Sequence, residues 1–151
     1  MRDGNRALGF TLLELLIALS IAGLLLAVSG PASYKMYQSM QYREAVRDVR
    51  RALDSARYSA MVTGKPVNVV ISPRDKTVLY SDKPLLELPE FIDLETETAA
   101  ELSEDDTQAV IQYYGDGSST GGTINIGRND RWIRLHVGWL LGKVEQSVVE
   151  P

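Results

Sequence analysis

The sequence predicts an α+β fold in which one long amino-terminal helix packs on a small antiparallel β-sheet domain. Three observations carry this prediction: a long apolar run near the start, an amphipathic helical pattern after it, and apolar residues at alternate positions beyond Pro66. A change from helical to alternating periodicity within one short chain favours a helix packed on one or two small sheets.

The amino-acid composition of the chain argues against several classes of function. A chain of 151 residues with 44% hydrophobic residues holds one compact domain plus an anchor. Its formal charge of −4 is unlike that of a generic nucleic-acid binder. The absence of cysteine excludes disulfides and thiolate metal sites, and a single histidine, His136, excludes a multi-histidine metal centre. We expect no metal and no cofactor.

The apolar run extends from Phe10 to Gly30 and contains one ionisable residue, Glu14. As a helix it covers roughly 30 Å, the thickness of the bilayer hydrocarbon. Arg2 and Arg6 precede it, and basic residues before a membrane span keep that end of the chain in the cytoplasm. The sequence therefore predicts one crossing with the carboxy-terminal domain outside.

A cleaved secretory signal is the alternative interpretation, because the residues 27–29 resemble a signal-peptidase site. Glu14 argues against it, since an acidic side chain in mid-bilayer costs up to about 3 kcal/mol, which a disposable signal has no reason to carry. Helical patterning also resumes directly after Pro31.

The segment from Gly9 to Glu14 reads GFTLLE and resembles the leader junction of type IV pilins and pseudopilins. The resemblance implies that prepilin peptidase cleaves after Gly9 and that Phe10 becomes the N-methylated first residue. It also implies an inner-membrane anchor that later forms the filament core, with Pro31 as the helix-kinking proline. Glu14 would pair with the Phe10 amine of a neighbouring subunit and set the assembly register; the alternative is a glutamate at the cytoplasmic interface without a partner.

These boundaries predict a leader over 1–9, a transmembrane and filament-core helix over 10–30, an amphipathic stalk helix over 31–63 and a β domain over 64–151. The stalk's apolar stripe consists of Val46, Val49, Leu53, Ala56 and Ala60. Its other faces carry Arg43, Arg47, Arg50 and Arg51, which either meet solvent or contact carboxylates of neighbouring subunits.

Alternating patterns predict the strands of the β domain. One hairpin is expected from 67–71 and 77–80, and a third strand over 85–94 is expected to bend at Pro89 or lie at a sheet edge. An acidic surface loop over 99–106 and a strand over 107–114 follow. We then expect a flexible glycine-rich loop over 115–122, a second hairpin from 123–127 and 132–137 with a half-exposed His136, and a short strand over 139–144.

The stretches at 53–60, 64–67, 117–124 and 142–144 are similar to those of H-type pseudopilins and their minor-pilin relatives. The resemblance implies a non-enzymatic minor pseudopilin at or near the tip of the periplasmic pseudopilus that drives type II secretion. Its implied partners are major and minor pseudopilins, prepilin peptidase, the inner-membrane assembly platform and secreted cargo. Tyr113 and Tyr114 stand where the family more often has phenylalanine and proline, which leaves a pilus or competence role open.

The alternative function is that of a minor pilin in pilus assembly or DNA uptake. Four basic residues near the carboxy terminus would contact phosphates if they share a face: Arg128, Arg131, Arg134 and Lys143. Ten carboxylates and one lysine between Asp82 and Asp106 would repel DNA and argue against a nucleic-acid partner.

Overall fold

The computed structural model describes residues 10–81, 83–98 and 108–149 of the chain, with side chains left undescribed at 28–32 and 83. The expected leader over 1–9 and the acidic loop over 99–106 lie outside the described residues. The chain divides into two compact units, one up to Ser39 and one from Met40. The helix α1 runs from Leu12 to Thr63, so it begins in the first unit and ends in the second.

The second unit contains the amphipathic part of α1. The expected apolar stripe is confirmed, because Val46, Val49, Leu53, Ala56 and Ala60 are all buried. Helix α1 ends at Thr63, and Gly64 follows it. The Gly64 φ of 66° lies in the left-handed region, and its N–H donates to Ala60 O at 2.9 Å. Glycine takes this conformation without steric cost, and Pro66 prevents the helix from continuing.

One sheet has the strand order β3-β2-β1-β5. Its strands are β1 (Val67–Ser72), β2 (Thr77–Tyr80), β3 (Lys83–Glu87) and β5 (Ala109–Tyr113). Strands β1 and β2 form the expected hairpin, in which Val69 lies opposite Tyr80. We refer to this as sheet A.

The other sheet, sheet B, has the order β4-β6-β7-β8. Its strands are β4 (Asp93–Glu97), β6 (Gly122–Arg128), β7 (Arg131–Val137) and β8 (Val144–Val149). All its pairings are antiparallel, and β6 and β7 form the second expected hairpin.

Alternate residues of both sheets and the stripe of α1 form one hydrophobic core. Its fully buried side chains include Leu53 from the helix, Ile111 from sheet A, and Ile124 and Leu135 from sheet B. Tyr42 adds a polar link, because its hydroxyl donates to Ile126 O at 2.9 Å. Helix and sheets thus share a core, as the α+β prediction required.

Two strand predictions need correction. The single strand expected over 85–94 is two strands, β3 and β4, which lie at edges of different sheets and are separated by the turn around Pro89. Proline has no backbone N–H to donate to the hydrogen bonds between strands. The chain therefore leaves sheet A at Pro89, and its next strand belongs to sheet B. The strand expected over 139–144 is a turn, and β8 begins only at Val144. Trp139, Leu140 and Leu141 are exposed in that turn, so apolar composition misled the prediction.

Candidate assembly surfaces

The first unit begins with a helix cap. Thr11 precedes α1, and its Oγ1 accepts a hydrogen bond from the N–H of Glu14 at 3.2 Å. A threonine three residues before a glutamate is the sequence of a capping box, and a carboxylate in the first helical turn is favoured by the helix dipole. Thr11 and Glu14 therefore have a local structural role, which the sequence reasoning missed although the T-x-x-E spacing signals it.

Apolar side chains point outward around the whole of this helix segment. Phe10 and Leu12 are each 78% exposed, and Leu24 is 70% exposed. In the part of the chain that the structure describes, no helix has a stretch both long and apolar enough to cross a membrane. The crossing expected over 10–30, the kink expected at Pro31 and the cleavage expected at Gly9 all stay predictions.

The basic face of α1 lies in the second unit, where Arg43, Arg47, Arg50 and Arg51 are all exposed. Two of them are held within the helix: Arg51 Nη1 lies 2.9 Å from Asp48 Oδ1, and Arg50 Nε lies 3.8 Å from Asp54 Oδ2. Among the described residues no carboxylate lies within ion-pair distance of Arg43 or Arg47. These two cations are therefore the members of the face that can contact another molecule without breaking a pair.

The glycine-rich stretch is held by hydrogen bonds rather than free. Tyr114 N–H donates to Ser118 O at 3.0 Å, and Thr120 N–H donates to Gln112 O at 2.9 Å. The Asp116 carboxylate accepts from the Ser118 hydroxyl at 2.6 Å and from the Ser118 N–H at 2.9 Å. These bonds lower the pKa of Asp116. The expected flexible loop is thus a built turn that joins sheet A to sheet B.

This turn also fastens the helix to the turn before β8. Arg57 Nε donates to Gly117 O at 3.3 Å, and Ser119 N–H donates to Trp139 O at 2.9 Å. At Gly142, with φ of 60°, an added Cβ would lie 2.4 Å from Gly117 O. Only glycine fits where these two backbone segments cross.

The buried Tyr113 side chain lies beside this crossing. Its hydroxyl has no hydrogen-bond partner among the described residues. Burial raises the pKa of Tyr113, and the Asp54 carboxylate adds to this effect while Arg57 opposes it. A neutral phenol at this place fits a packing role.

The four basic residues of the alternative function do not gather on one surface. Arg128 and Arg131 are paired across the β6–β7 hairpin and so share a face, whereas Arg134, three residues along β7, points to the opposite face. Lys143 lies beyond the far end of β7, about 20 Å from Arg131 at the usual strand rise.

Two of these residues are engaged within the domain. The Arg128 guanidinium carbon lies 5.7 Å from the centre of the Phe91 ring, and Arg134 Nε donates to Asn125 Oδ1 at 3.0 Å. The structure therefore does not assemble the phosphate-binding face that the alternative function requires.

The outer face of sheet B is acidic. Alternation places Asp93, Glu95 and Glu97 of β4 on this face, and the β7–β8 register adds Glu145 opposite His136. His136 is exposed, and its Nδ1 lies 3.3 Å from Thr123 Oγ1. Against four carboxylates the face carries one arginine, Arg134, so it repels a polyanion.

A shallow groove of about 370 Å³ lies between α1 and the edge of sheet A. It is lined by Asp48, Arg51, Ala52, Ser55, Tyr80, Leu85 and Leu86. Within the described parts of the chain, no cluster of three or more acidic or histidine side chains could hold a metal ion.

Comparison with known proteins supports the resemblance seen in the sequence. Residues 4–30 match the family described as the prokaryotic N-terminal methylation motif. The type II secretion system protein H of Xanthomonas campestris pv. campestris is 28% identical over 139 residues, which cover 92% of this chain and 82% of that protein.

One solved structure shows the same fold. The minor pseudopilin EpsH of the type 2 secretion system of Vibrio cholerae matches with a TM-score of 0.56 at 12% identity, covering 72% of this chain and 97% of that chain. The type IV minor pilin FimU of Pseudomonas aeruginosa matches with a TM-score of 0.49 at 12% identity, covering 70% of this chain and 91% of that chain.

The fold and the amino-terminal motif together define a pilin-like subunit that carries an N-terminal methylation motif. The chain carries the N-terminal methylation motif at residues 4–30, is similar to a type II secretion system protein H, and has the fold of the minor pseudopilin EpsH.

Proposed function

We propose that this protein is a minor pseudopilin of the type II secretion system, a structural subunit at or near the tip of the periplasmic pseudopilus. The observation that carries the proposal is the similarity to a type II secretion protein H over 92% of the chain, together with the methylation motif at 4–30. Its role is assembly rather than catalysis, since its candidate surfaces are suited to contacts between subunits.

The proposed life cycle begins at the inner membrane. Prepilin peptidase cleaves after Gly9, and Phe10 becomes the N-methylated first residue. The apolar helix then anchors the subunit with its amino terminus in the cytoplasm and its β domain in the periplasm. The outward-facing apolar side chains from Phe10 to Leu26 support this step, because they need an apolar surrounding that the described chain does not supply.

Within the filament, Glu14 sets the register of assembly by pairing with the amine of a neighbouring subunit's first residue. Glu14 is exposed in the isolated chain, so its carboxylate is accessible to such a partner. An unpaired carboxylate buried among apolar helices is costly in free energy. This cost favours the one axial offset between neighbouring subunits that places a positive charge beside Glu14.

The basic face of α1 provides lateral contacts in this proposal. Arg43 and Arg47 lie one helical turn apart and face carboxylates of neighbouring pseudopilins. Arg50 and Arg51 already have partners on their own helix and serve this role less well. Other partners in the proposal are the inner-membrane assembly platform and secreted cargo.

Processing is tested by intact-mass and amino-terminal analysis of the protein from membranes of its native host. We expect a chain that starts at methylated Phe10, and an uncut chain for Gly9→Ala. A start near Gly30 would instead indicate a conventional secreted protein and would remove the basis of the filament role.

Function is tested by replacing the chromosomal copy with variants and measuring secreted enzyme activity and surface piliation separately. Glu14→Val should abolish secretion while leaving processing intact. Arg47→Glu should reduce secretion more than its matched control Arg50→Glu, because Arg47, unlike Arg50, has no ion-pair partner among the described residues. Normal secretion with lost pili would identify a minor pilin and contradict the proposal.

A further inference from the structure

The two sheets of the β domain have four outer strands, and three of them are protected against pairing with another strand. Strand β3 contains Pro84, which has no N–H to donate, and its ladder is irregular where Val78 and Leu79 meet it. Strand β4 carries the carboxylates of Asp93, Glu95 and Glu97. Charges and prolines of this kind are the usual means by which proteins block edge pairing.

The third protected strand is β5, which is covered by the glycine-rich turn. Thr120 N–H donates to Gln112 O at 2.9 Å, and Gln112 N–H donates to Thr120 Oγ1 at 3.1 Å. Ser119 also forms a bridge with Tyr113. The outward N–H and C=O of Gln112 are thus already occupied, and the turn shields the carboxy-terminal part of β5.

Strand β8 is different. It pairs with β7 along its whole length, and no backbone hydrogen bond from another described segment reaches its outer side. Its sequence VEQSVV contains no proline and no lysine, and its one charged residue is Glu145. Val148 is 73% exposed although its register opposite Ile133 places it on the core side of the sheet. An open, valine-rich edge of this kind is a template for another strand.

We propose that β8 pairs with β8 of a second copy of this chain, antiparallel about a two-fold axis at Gln146. In an antiparallel sheet, the side chains of two residues that lie directly opposite each other point to the same face. The two-fold axis must therefore pass through a residue position, because an axis between two residues would place side chains of opposite faces against each other. An axis at Gln146 places Val148 opposite Val144 of the second copy and Glu145 opposite its Ser147. A valine pair and a carboxylate beside a hydroxyl are favourable neighbours, and no two carboxylates lie opposite each other.

The contact is isologous, so it joins the two copies into one continuous eight-stranded sheet and then closes. It adds backbone hydrogen bonds and buries the two Val148 side chains. A single strand pair buries less area than a permanent interface does, so pairing is expected to depend on protein concentration. The occupant is a copy of this chain because the strand pattern is complementary to itself.

The absence of cysteine from the chain allows a direct test. The full chain is purified in detergent as Gln146→Cys, Val149→Cys or Glu95→Cys and oxidised mildly over a series of concentrations. At the two-fold axis the two introduced thiols face each other within disulfide range, whereas those at position 149 lie about 20 Å apart. We expect a cross-linked dimer of Gln146→Cys at least about five times more abundant than that of either control.

A second variant tests the pairing itself. Val148→Lys changes an exposed side chain, so the fold is retained, but it places an ammonium opposite Val144 of the second copy. Added to Gln146→Cys, it should lower the cross-linked fraction about five-fold. Circular dichroism confirms that the domain is folded.

Three outcomes would overturn the proposal. Equal cross-linking at 146, 149 and 95 would indicate collisions within micelles, and no cross-linking at 146 would indicate that the edge stays open. Cross-linking of Gln146→Cys in host membranes only to a product of different mass would assign the edge to a strand of another protein.

Discussion

Helix α1 contains two stretches rich in apolar residues. The apolar side chains of one stretch are exposed, and those of the other are buried. From Leu12 to Leu26 the apolar side chains lie on every side of the helix and are exposed, with Leu24 at 70%. From Val46 to Ala60 they occupy one stripe and are buried, with Leu53 at 0%. A helix that is apolar all round needs an apolar surrounding, whereas a single stripe needs only one packed face.

The largest expected effect tests this contrast directly. Leu53→Ala should lower the free energy of unfolding of the β domain by about 2 to 5 kcal/mol, because it removes buried methyl groups and leaves a cavity. Leu24→Ala should change it by less than about 0.5 kcal/mol, since the Leu24 side chain is 70% exposed. Denaturant unfolding of the full chain in detergent, followed by tryptophan fluorescence, measures both. Equal losses would mean that the two stretches share one folding unit.

Two glycines, one in each unit, allow the same comparison for the backbone. Gly142→Ala should lower the free energy of unfolding by about 2 to 4 kcal/mol, because the new Cβ meets Gly117 O and φ is 60°. Gly23→Ala has nothing within 4 Å of its new Cβ and should stabilise its helix by roughly 0.5 to 1 kcal/mol. Thermal unfolding by circular dichroism gives the two signs. A stable Gly142→Ala protein would show that the turn before β8 can move.

Removing a tyrosine hydroxyl should cost more stability at a buried position than at an exposed one. Tyr42→Phe removes the donor to Ile126 O and should lower the free energy of unfolding by about 1 to 1.5 kcal/mol. Tyr58, which is 72% exposed, provides the control, and Tyr58→Phe should have an effect below about 0.5 kcal/mol. The same denaturant titration applies. If both variants lose equally, the Tyr42 hydrogen bond does not hold the helix on sheet B.

The smallest effect concerns pH. The pKa of Asp116 is lower in the folded protein than in the unfolded chain, because Ser118 donates two hydrogen bonds to its carboxylate. Its contribution to stability is therefore present above the unfolded pKa of about 3.9 and is lost as pH falls through the lower folded value. Asp116→Asn should be slightly less stable than wild type at pH 7 and equal to it near pH 2. A difference that persists at low pH would contradict this cause.

Local patterns predicted much of this molecule. The spacing of Val46, Val49 and Leu53 identified the buried stripe, and the two hairpins followed from alternation between turn residues. The motif at 9–14 indicated a prepilin leader junction, and residues 4–30 match the N-terminal methylation motif. The T-x-x-E spacing of Thr11 and Glu14 also carried a cap that was not recognised.

Other features could not be reached from local patterns. The stretch 85–94 looked like one strand, because its alternation does not reveal that Pro89 separates two sheets. The apolar residues 139–141 looked like strand and are an exposed turn. The composition of a segment shows how apolar it is, but whether its side chains are buried depends on the segments that pack against it.

The sequence by itself determined the helix, its buried stripe, the hairpins and the amino-terminal motif, because each depends on periodicity or on residues within one or two turns. Only the tertiary structure decided which strands share a sheet and, among the described residues, which arginines have no ion-pair partner and which sheet edge has no backbone partner. Arg131 and Arg134 were close in sequence yet point to opposite faces, and Gly117 and Gly142 were distant yet touch. Contacts between segments far apart in the chain depend on how sheets and helix pack together, and local spacing contains no record of that packing.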